Sequence, residues 1–452
     1  MKKIINSMKK INYRLFAALL VLGLCPTIYT TLRVFLIGQL PGEYSFSIAG
    51  QLSWVNLFYE VLSEAIILPL FYFIGKVLTD EKEFSNRVKT GLIISTLIYS
   101  ILSVIIVIFV KPLLHFMATD STIISESAKY IRIESIANVF SMMFSFLLVA
   151  LITIGKDKYV YILTFAKLVL CILFDVFFTS TISVSLNLGI NGIAITNIIV
   201  NAFLFIIAII LLHKEKIKII SKEKLSFSWL KEYLKVGGIS GFESFVRNIA
   251  YMLMISRMIN VVGEQGTYWV ANNFIWGWLL LPILQLGELI KREVSTDESA
   301  IKNKSIGYIS LTIIICLIWF ITIPLWKPFM ENILNFSNVD KLFDLVLVLV
   351  GFYVLFAIQN VFDSIFYGLG KTNYMLFESV VTNLVYYGGA FILYLTGVWQ
   401  PTLIGIALLF GIGNAFDSIV SFAVYIYLIK KKKINILDID SDKFEELTIK
   451  NK

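Results

Sequence analysis

Charged side chains standing inside otherwise apolar runs are where this sequence could do chemistry. Glu60, Glu64, Lys167, Glu243, Arg247 and Asp417 fall near the middle of such runs, with Asp175 somewhat further out. An ionisable group at bilayer depth costs at least a few kcal/mol, so each demands a partner, a wet cavity or a function. Glu60 and Glu64 are four residues apart and share one helix face. Two carboxylates that close repel and take up a proton or a cation, the chemistry that a proton- or sodium-coupled transporter needs. The alternative is that each is neutralised by a basic group across a cleft, Lys167 or Arg247. Glu243 and Arg247 are also four apart and can pair within one helix.

One short pattern occurs twice, as Asn360-Val-Phe-Asp363-Ser-Ile and Asn414-Ala-Phe-Asp417-Ser-Ile. Asn and Asp three apart share a helix face and offer oxygen ligands suited to a hard cation. Asp417 lies deeper and is the better candidate, with interhelical hydrogen bonding as the bland alternative. Glu288, Asp363 and Glu378 lie near the cytoplasmic ends of their runs, where reaching back to water explains them. Lys167 and Asp175, eight apart, read as polar glue or a relay within one helix. Arg33 precedes Gly38 by five residues and Arg257 precedes Gly263 by six, which suggests a two-arginine anion site at an outer mouth. Snorkelling toward headgroups is the competing explanation. Trp54, Trp276 and Trp278 could stack on flat or cationic compounds. Trp269, Trp326 and Trp399 read as an interface belt.

The elements that must position these residues are apolar helices near 15–37, 48–74, 91–110, 131–154, 159–180, 189–212, 237–262, 267–290, 306–326, 342–367, 375–396 and 402–429. The chain is 58% hydrophobic and only 15% charged over 452 residues, where ordinary soluble domains carry about a quarter charged residues. Backbone polar groups must be satisfied within each span, so runs of this length form helices. The fold class is therefore an all-α polytopic membrane protein with twelve transmembrane helices. The net charge of +8 comes from loop lysines and needs no nucleic-acid partner. Most of the 39 Lys and Arg residues fall in the N-terminal tail, the even-numbered loops and the C-terminal tail. By the positive-inside rule both termini are cytoplasmic, in a multi-pass cell-membrane protein. Cys25, Cys171 and Cys316 sit in apolar runs as small hydrophobes. With two histidines and no convergent metal ligands, the chain is not expected to be an enzyme and needs no cofactor.

The two halves echo each other. Ala49 and Trp54 recur as Ala271 and Trp276, Lys111-Pro112 as Lys327-Pro328, Gly155-Lys156 as Gly370-Lys371, and Gly192-Ile193-Ala194 as Gly405-Ile406-Ala407. Six helices per half place both halves the same way up, related by an axis along the membrane normal, as in transporters. The division reads as an N-terminal lobe at 1–212, a cytoplasmic interfacial linker at 213–235, a C-terminal lobe at 236–429 and a basic tail at 430–452.

Tyr130-Ile131 with the Phe-rich helix that follows, Leu188-Gly189-Ile190-Asn191-Gly192-Ile193-Ala194, Val270-Ala271 leading to Pro282 and Gly287, and Tyr367-Gly368-Leu369-Gly370-Lys371-Thr372 together resemble the multidrug and toxic compound extrusion (MATE) transporters. Their superfamily also contains lipid-linked oligosaccharide flippases. The resemblance implies two six-helix lobes, a central cleft lined by helices 1, 2, 7 and 8, and export by antiport against sodium or protons. The sodium-coupled branch carries an acid in helix 7. Aligning on Gly237 and Gly263 puts that acid near Arg247 rather than Glu243. Where members carry an aspartate in helix 1, this chain has Arg33.

The reading is an alternating-access antiporter working as a monomer in the lipid bilayer on small molecules, amphipathic or lipid-like ones included. Glu60, Glu64, Asp417, Asn414 and Glu243 are the candidates for the coupling sodium ion or proton. Arg33, Arg247, Arg257, Trp54, Trp276 and Trp278 are the candidates for the substrate cleft. The alternative is a flippase for a lipid-linked anionic substrate on the same fold, which a lipid-open groove between helices 1 and 8 would favour.

Overall fold

The structure, a computed structural model, describes residues 2–41, 44–219 and 225–435. Most of the basic tail, from residue 436, lies outside them. No strand occurs among the described residues. A short helix, α1 (Lys2–Lys9), precedes the first-half spans α2 (Tyr13–Gly38), α3 (Ser45–Gly75), α4 (Glu81–Phe116), α5 (Ile124–Thr153), α6 (Asp157–Thr179) and α7 (Ile190–Lys214). The second half comprises α8 (Leu230–Ala250), α9 (Arg257–Val261), α10 (Gln265–Phe274), α11 (Leu281–Thr296), α12 (Ser299–Asn332), α13 (Val339–Gly368), α14 (Thr372–Val381), α15 (Gly388–Leu395) and α16 (Leu403–Lys431).

Ten of these helices or joined helices are long and apolar enough to cross a bilayer. The pair Gln265–Leu279 and Leu281–Thr296, bent by 53°, makes an eleventh. The remaining run, from Leu230 to Val261, is continuous helix through a π-helical stretch at Tyr251–Ser256. It carries Lys231, Glu232, Lys235, Glu243, Arg247 and Arg257, charges that an exposed span would not tolerate and a cleft helix can. Twelve helices in two lobes result. Outside the bundle, Ile108, Ile321 and Leu384 stand exposed, as hydrocarbon-facing residues do.

Many spans run beyond their apolar stretch because polar caps continue them into water. Asp80 Oδ1 accepts from the backbone of Lys82 and Glu83, which starts α4 ten residues before its apolar run. Thr402 Oγ1 likewise accepts from Gly405 N at the start of α16. Three π-helical stretches interrupt the second half, at Tyr251–Ser256, Ile275–Leu279 and Thr382–Tyr387. Such stretches disturb the regular ladder and cluster at functional sites.

Two large apolar cores form, beside a small cluster around Ile37, Tyr130 and Ala194, and the chain crosses between the large ones. Trp54, Tyr99, Phe146 and Leu204 belong to one, which also takes Trp229, Leu230 and Tyr233 from the inter-half segment. Tyr308, Tyr353, Ile365 and Tyr425 belong to the other, which takes Phe16 and Leu19 from the cytoplasmic half of α2. The predicted interfacial linker is thus partly buried: Ile217 and Ile219 join the first core, and Trp229 Nε1 donates to Thr90 Oγ1 at 3.0 Å. Residues 220–224 lie outside the described part.

Helices α3 and α8 pack closely because Gly237 and Gly241 present no side chain. A Cβ on Gly237 would collide with the Ala65 carbonyl, and one on Gly241 would meet Ala65 Cβ at 2.8 Å. Tyr233 OH donates to Ile66 O at 2.5 Å alongside them. Gly237→Leu is expected to cost about 1–3 kcal/mol through overpacking. A fall in the detergent melting temperature would measure it, and an unchanged value would mean the helices do not meet there.

Candidate functional site: a cleft with an acidic and an amide end

Three cavities share walls along the junction of the halves. The largest, about 430 Å³, is lined by Glu60 of α3, Arg247 and Asn248 of α8, and Asn414 and Asp417 of α16. The π-helical stretches give it Tyr251, Trp276, Thr382, Asn383 and Tyr387. Three widened stretches on three spans thus bring five polar or aromatic groups to its lining. A seam of about 340 Å³ between α2 and the bent pair α10–α11 adjoins it through Ser53 and Trp276. A third cavity of about 280 Å³ shares Thr30, Ser53, Trp269 and Asn273 with the seam and ends at Arg33, Tyr130 and Glu134.

At the acidic end, Arg247 is outnumbered. Its Nη2 donates to Glu64 Oε1 and lies 3.7 Å from Glu60 Oε1, while Nη1 lies 3.3 Å from Glu243 Oε1. Glu60, Glu64 and Glu243 thus share one guanidinium. The alternative of neutralisation across the cleft is met in part, through Arg247 and not Lys167, whose Nζ sits 5.6 Å from the Phe144 ring. Glu243 is buried, whereas the Glu60 side chain keeps 48% of its surface and faces the cavity. Ser379 Oγ donates to Glu243 Oε1 at 3.3 Å and links this group to α14.

Behind that wall lies a second set of carboxyls. Gln359 Nε2 donates to Asp417 Oδ2 at 2.5 Å and to Asp363 Oδ2 at 3.3 Å. Thr382 Oγ1 donates to Asp417 Oδ1 at 2.7 Å, and Ser421 Oγ to Asp363 Oδ1 at 2.8 Å. Glu378 is 3% exposed, and its Oε1 is buried without a hydrogen-bond partner. The expectation that Asp363 and Glu378 merely reach back to water is corrected here. They lie near the ends of their apolar runs, yet α16 packs over them. Among the described residues no three His, Cys, Asp or Glu side chains converge tightly enough to hold a metal ion. A cation here would need the neutral oxygens of Thr382, Gln359 or Asn414 as well.

The repeated Asn-x-x-Asp pattern does not give two equivalent pairs. Asn414 and Asp417 line the same cavity, but Asn360 turns away and donates to Ile283 O at 3.1 Å. Glu288, expected to reach back to water, is half exposed and pairs with Lys291 at 2.7 Å.

At the other end, Arg33 Nε donates to Asp175 Oδ2 at 2.6 Å and Nη2 to Asn197 Oδ1 at 2.7 Å. Asn197 Nδ2 in turn donates to Glu134 Oε1 at 2.8 Å. The predicted two-arginine anion site is not formed, because Arg33 is bound to a buried aspartate. Arg257 instead donates Nε to Phe116 O at 2.8 Å. Lys167 and Asp175 form no relay, since Arg33 occupies the acid. Of the tryptophans, Trp276 lines the cleft. Trp54 does not: it is 1% exposed in the first core, with Nε1 3.1 Å from Gln51 Oε1. Trp278 donates to Thr31 Oγ1 at 3.0 Å and faces an apolar groove of about 430 Å³ between α2, α11 and α12. Trp269, read as belt, walls two cavities, and Trp326 is buried.

The MatE family model matches residues 18–177. The architecture superimposes on a multidrug resistance MATE family transporter of the MOP superfamily, solved inward-facing, with TM-score 0.74 and 17% identity, covering 90% of this chain and 95% of that one. This is the MATE fold. A Vibrio cholerae MATE transporter, VcmN, in mutant form gives TM-score 0.70 at 14% identity, covering 97% of this chain and 100% of that one. A MOP superfamily transporter from Pyrococcus furiosus, described as having a binding pocket of reversed polarity, gives 0.70 at 18% identity, with 96% and 99% covered. A search of curated proteins returned no match. In the MATE fold shared with these proteins the chain is a multi-pass membrane protein, and its acidic cavity and seam are walled by both halves.

Proposed function

We propose that this chain is a secondary active antiporter that exports small organic compounds, cations above all, by alternating access. The observation that carries the reading is the acidic end of the cleft. Six carboxyl groups gather at and behind the cavity's wall, Glu60 and Asp417 lining it and Glu64, Glu243, Asp363 and Glu378 behind, and among the described residues Arg247 is their one bonded base. So many like charges in a site shielded from water share protons or recruit cations. Glu60 and Asp417 reach the cavity and serve as its entry ligands, with Asn414 beside them. Arg247 holds Glu64 and Glu243 in reserve, ready to release either when a cation arrives.

Coupling follows if entry of a sodium ion or proton favours one state of the lobes and an organic cation competes for the same carboxylates. The shift extends only as far as the difference in affinity between the two states. The lobes, residues 1–212 and 236–429, rock about the seam of α2 against α10–α11, with both termini cytoplasmic. The lysine and arginine distribution supports that orientation. The chain acts as a monomer, because its cleft is built within one chain.

A second reading, the lipid-linked flippase, draws on the groove between α2, α11 and α12. Phe16, Leu20, Trp319, Leu325 and Phe329 line it with carbon, and the Trp278–Thr31 hydrogen bond stands between it and the polar seam. An acyl chain fits such a wall with its headgroup in the seam.

Reconstituted vesicles with an imposed pH or sodium gradient test the main reading. Labelled tetraphenylphosphonium is expected to accumulate only under a gradient, and Glu60→Gln to cut the rate at least about tenfold. Equal rates in the variant, or transport indifferent to both gradients, would remove the acidic end from the mechanism. Preference for a long-chain glycolipid over tetraphenylphosphonium would move the assignment to the flippase.

A further inference from the structure

Resting on the reading that the acidic end holds an organic cation, we infer that the opposite cavity, at Arg33, is a subsite for an uncharged, hydroxyl-rich portion of the same substrate. Its ligand class is a sugar or polyol carried by a cation.

Burial of its charges sets this cavity apart. Arg33 is bonded to Asp175, and the second acid, Glu134, is 4% exposed and accepts from Asn197 Nδ2, so both acids are buried and already hydrogen-bonded. Neither is open to a ligand as Glu60 is, whose side chain keeps 48% of its surface. What the cavity presents instead is amide. Asn56 of α3, Asn138 of α5, Asn197 of α7 and Asn273 of α10 converge on about 280 Å³ from four helices, with Thr30 and Tyr130 adding hydroxyls. Each amide offers donors and an acceptor, which matches hydroxyls that both give and take hydrogen bonds.

Part of that capacity is unspent. Asn138 Nδ2 is buried with no hydrogen-bond partner. A buried donor left without a partner costs about 1–3 kcal/mol, a cost that a ligand acceptor would remove. Asn273 donates Nδ2 to Trp269 O at 2.9 Å, a bond that leaves its carbonyl oxygen for a ligand. Trp269 walls the same cavity and gives a flat face for the C–H side of a ring.

Continuity joins the two ends. Thr30, Ser53, Trp269 and Asn273 belong to both this cavity and the seam, and Ser53 and Trp276 to both the seam and the acidic cavity. One elongated molecule can therefore lie with its ammonium at Glu60 and its hydroxyls among the asparagines. The volume lies close to the lower end of small-molecule sites, about 300–1,000 Å³, as suits one ring rather than a whole drug.

The test is binding of a matched pair to the purified full chain in lipid nanodiscs, followed by tryptophan fluorescence. The probes are para-trimethylammoniophenyl glucoside and its cyclohexyl ether analogue, which keeps length and charge and lacks the hydroxyls. The wild type is expected to bind the glucoside at least about tenfold more tightly, the worth of roughly one well-made hydrogen bond to a buried group. Asn138→Leu and Asn273→Leu are expected to erase that preference while leaving the ether within about twofold. Retained ether binding shows that the variants are folded. Equal affinities in the wild type, a preference that survives both substitutions, or equal losses for both probes would overturn the subsite. Glu60→Gln separates the two claims: if it leaves both affinities unchanged, the cationic end is wrong, whatever the asparagine variants show.

Discussion

Arg33→Leu is expected to destabilise the chain by about 3–5 kcal/mol, the size seen when one partner of a buried ion pair is removed. The Asp175 side chain has no exposed surface and the Arg33 side chain only 13%. Without the guanidinium, Asp175 is left a buried charge without its ion-pair partner, and Asn197 loses its donor. The loss should appear as a lower melting temperature in detergent. A double variant, Arg33→Leu with Asp175→Asn, removes the stranded charge and is expected to regain most of it. Additive losses would mean the two residues do not interact. Arg33 also ties α2 to α6 and α7 by hydrogen bonds, while the start of α2 packs in the opposite core with Phe16 and Leu19. Releasing it should free the outer half of α2 to follow the second lobe.

The apolar runs made the helices legible, because hydrocarbon leaves the backbone no other way to satisfy itself. Their ends were less so. The span read from residue 91 begins at Glu81, since Asp80 caps a polar extension that hydropathy does not register. The bend between α10 and α11 is marked by Pro282 in the first turn of α11, whereas the three π-helical stretches, which supply five residues of the acidic cavity's lining, carry no residue signal.

The candidate site divides in the same manner. Glu60, Glu64, Glu243 and Arg247 could be found because charge within hydrocarbon is conspicuous, and spacing of four placed each pair on one face. Which wall a side chain faces could not be found for helices apolar all round, since such a helix has no polar side to fix its rotation. Sequence therefore points Trp54 to the cleft and Trp269 to the belt, whereas the structure buries Trp54 in the first core and sets Trp269 in the walls of two cavities. Asp363 and Glu378 are legible as charges but read as reaching back to water, for a different reason. Their distance from the helix end was short, but burial depends on what packs alongside, here Ser421 and Gln359. Glu134 and Asn197 were missed because they become a site only through Arg33, on another helix. Polar residues spaced three or four apart within apolar helices, as Glu134 and Asn138 are, were the available signal.

Asp417→Asn is expected to abolish gradient-driven transport, with a loss of at least about a hundredfold, while tetraphenylphosphonium binding weakens only severalfold. The difference follows from position. Asp417 lines the cavity and also shares Gln359 with Asp363 behind it, so it is the one carboxyl common to the substrate space and the buried set. A proton or sodium ion reaching Asp363 or Glu378 from the cleft passes it. With asparagine there, the oxygen that accepts from Thr382 can remain, but the charge that draws a cation inward is gone. Glu60 stays to hold the organic cation, which is why binding outlives transport. Asp363→Asn leaves the entry ligand in place and is expected to slow transport less than Asp417→Asn does. Initial rates in vesicles under separate sodium and pH gradients, beside binding measured without a gradient, check all of this. If Asp417→Asn transports at the wild-type rate under both gradients, the buried carboxyls are structural and coupling lies with Glu60 and Arg247 alone.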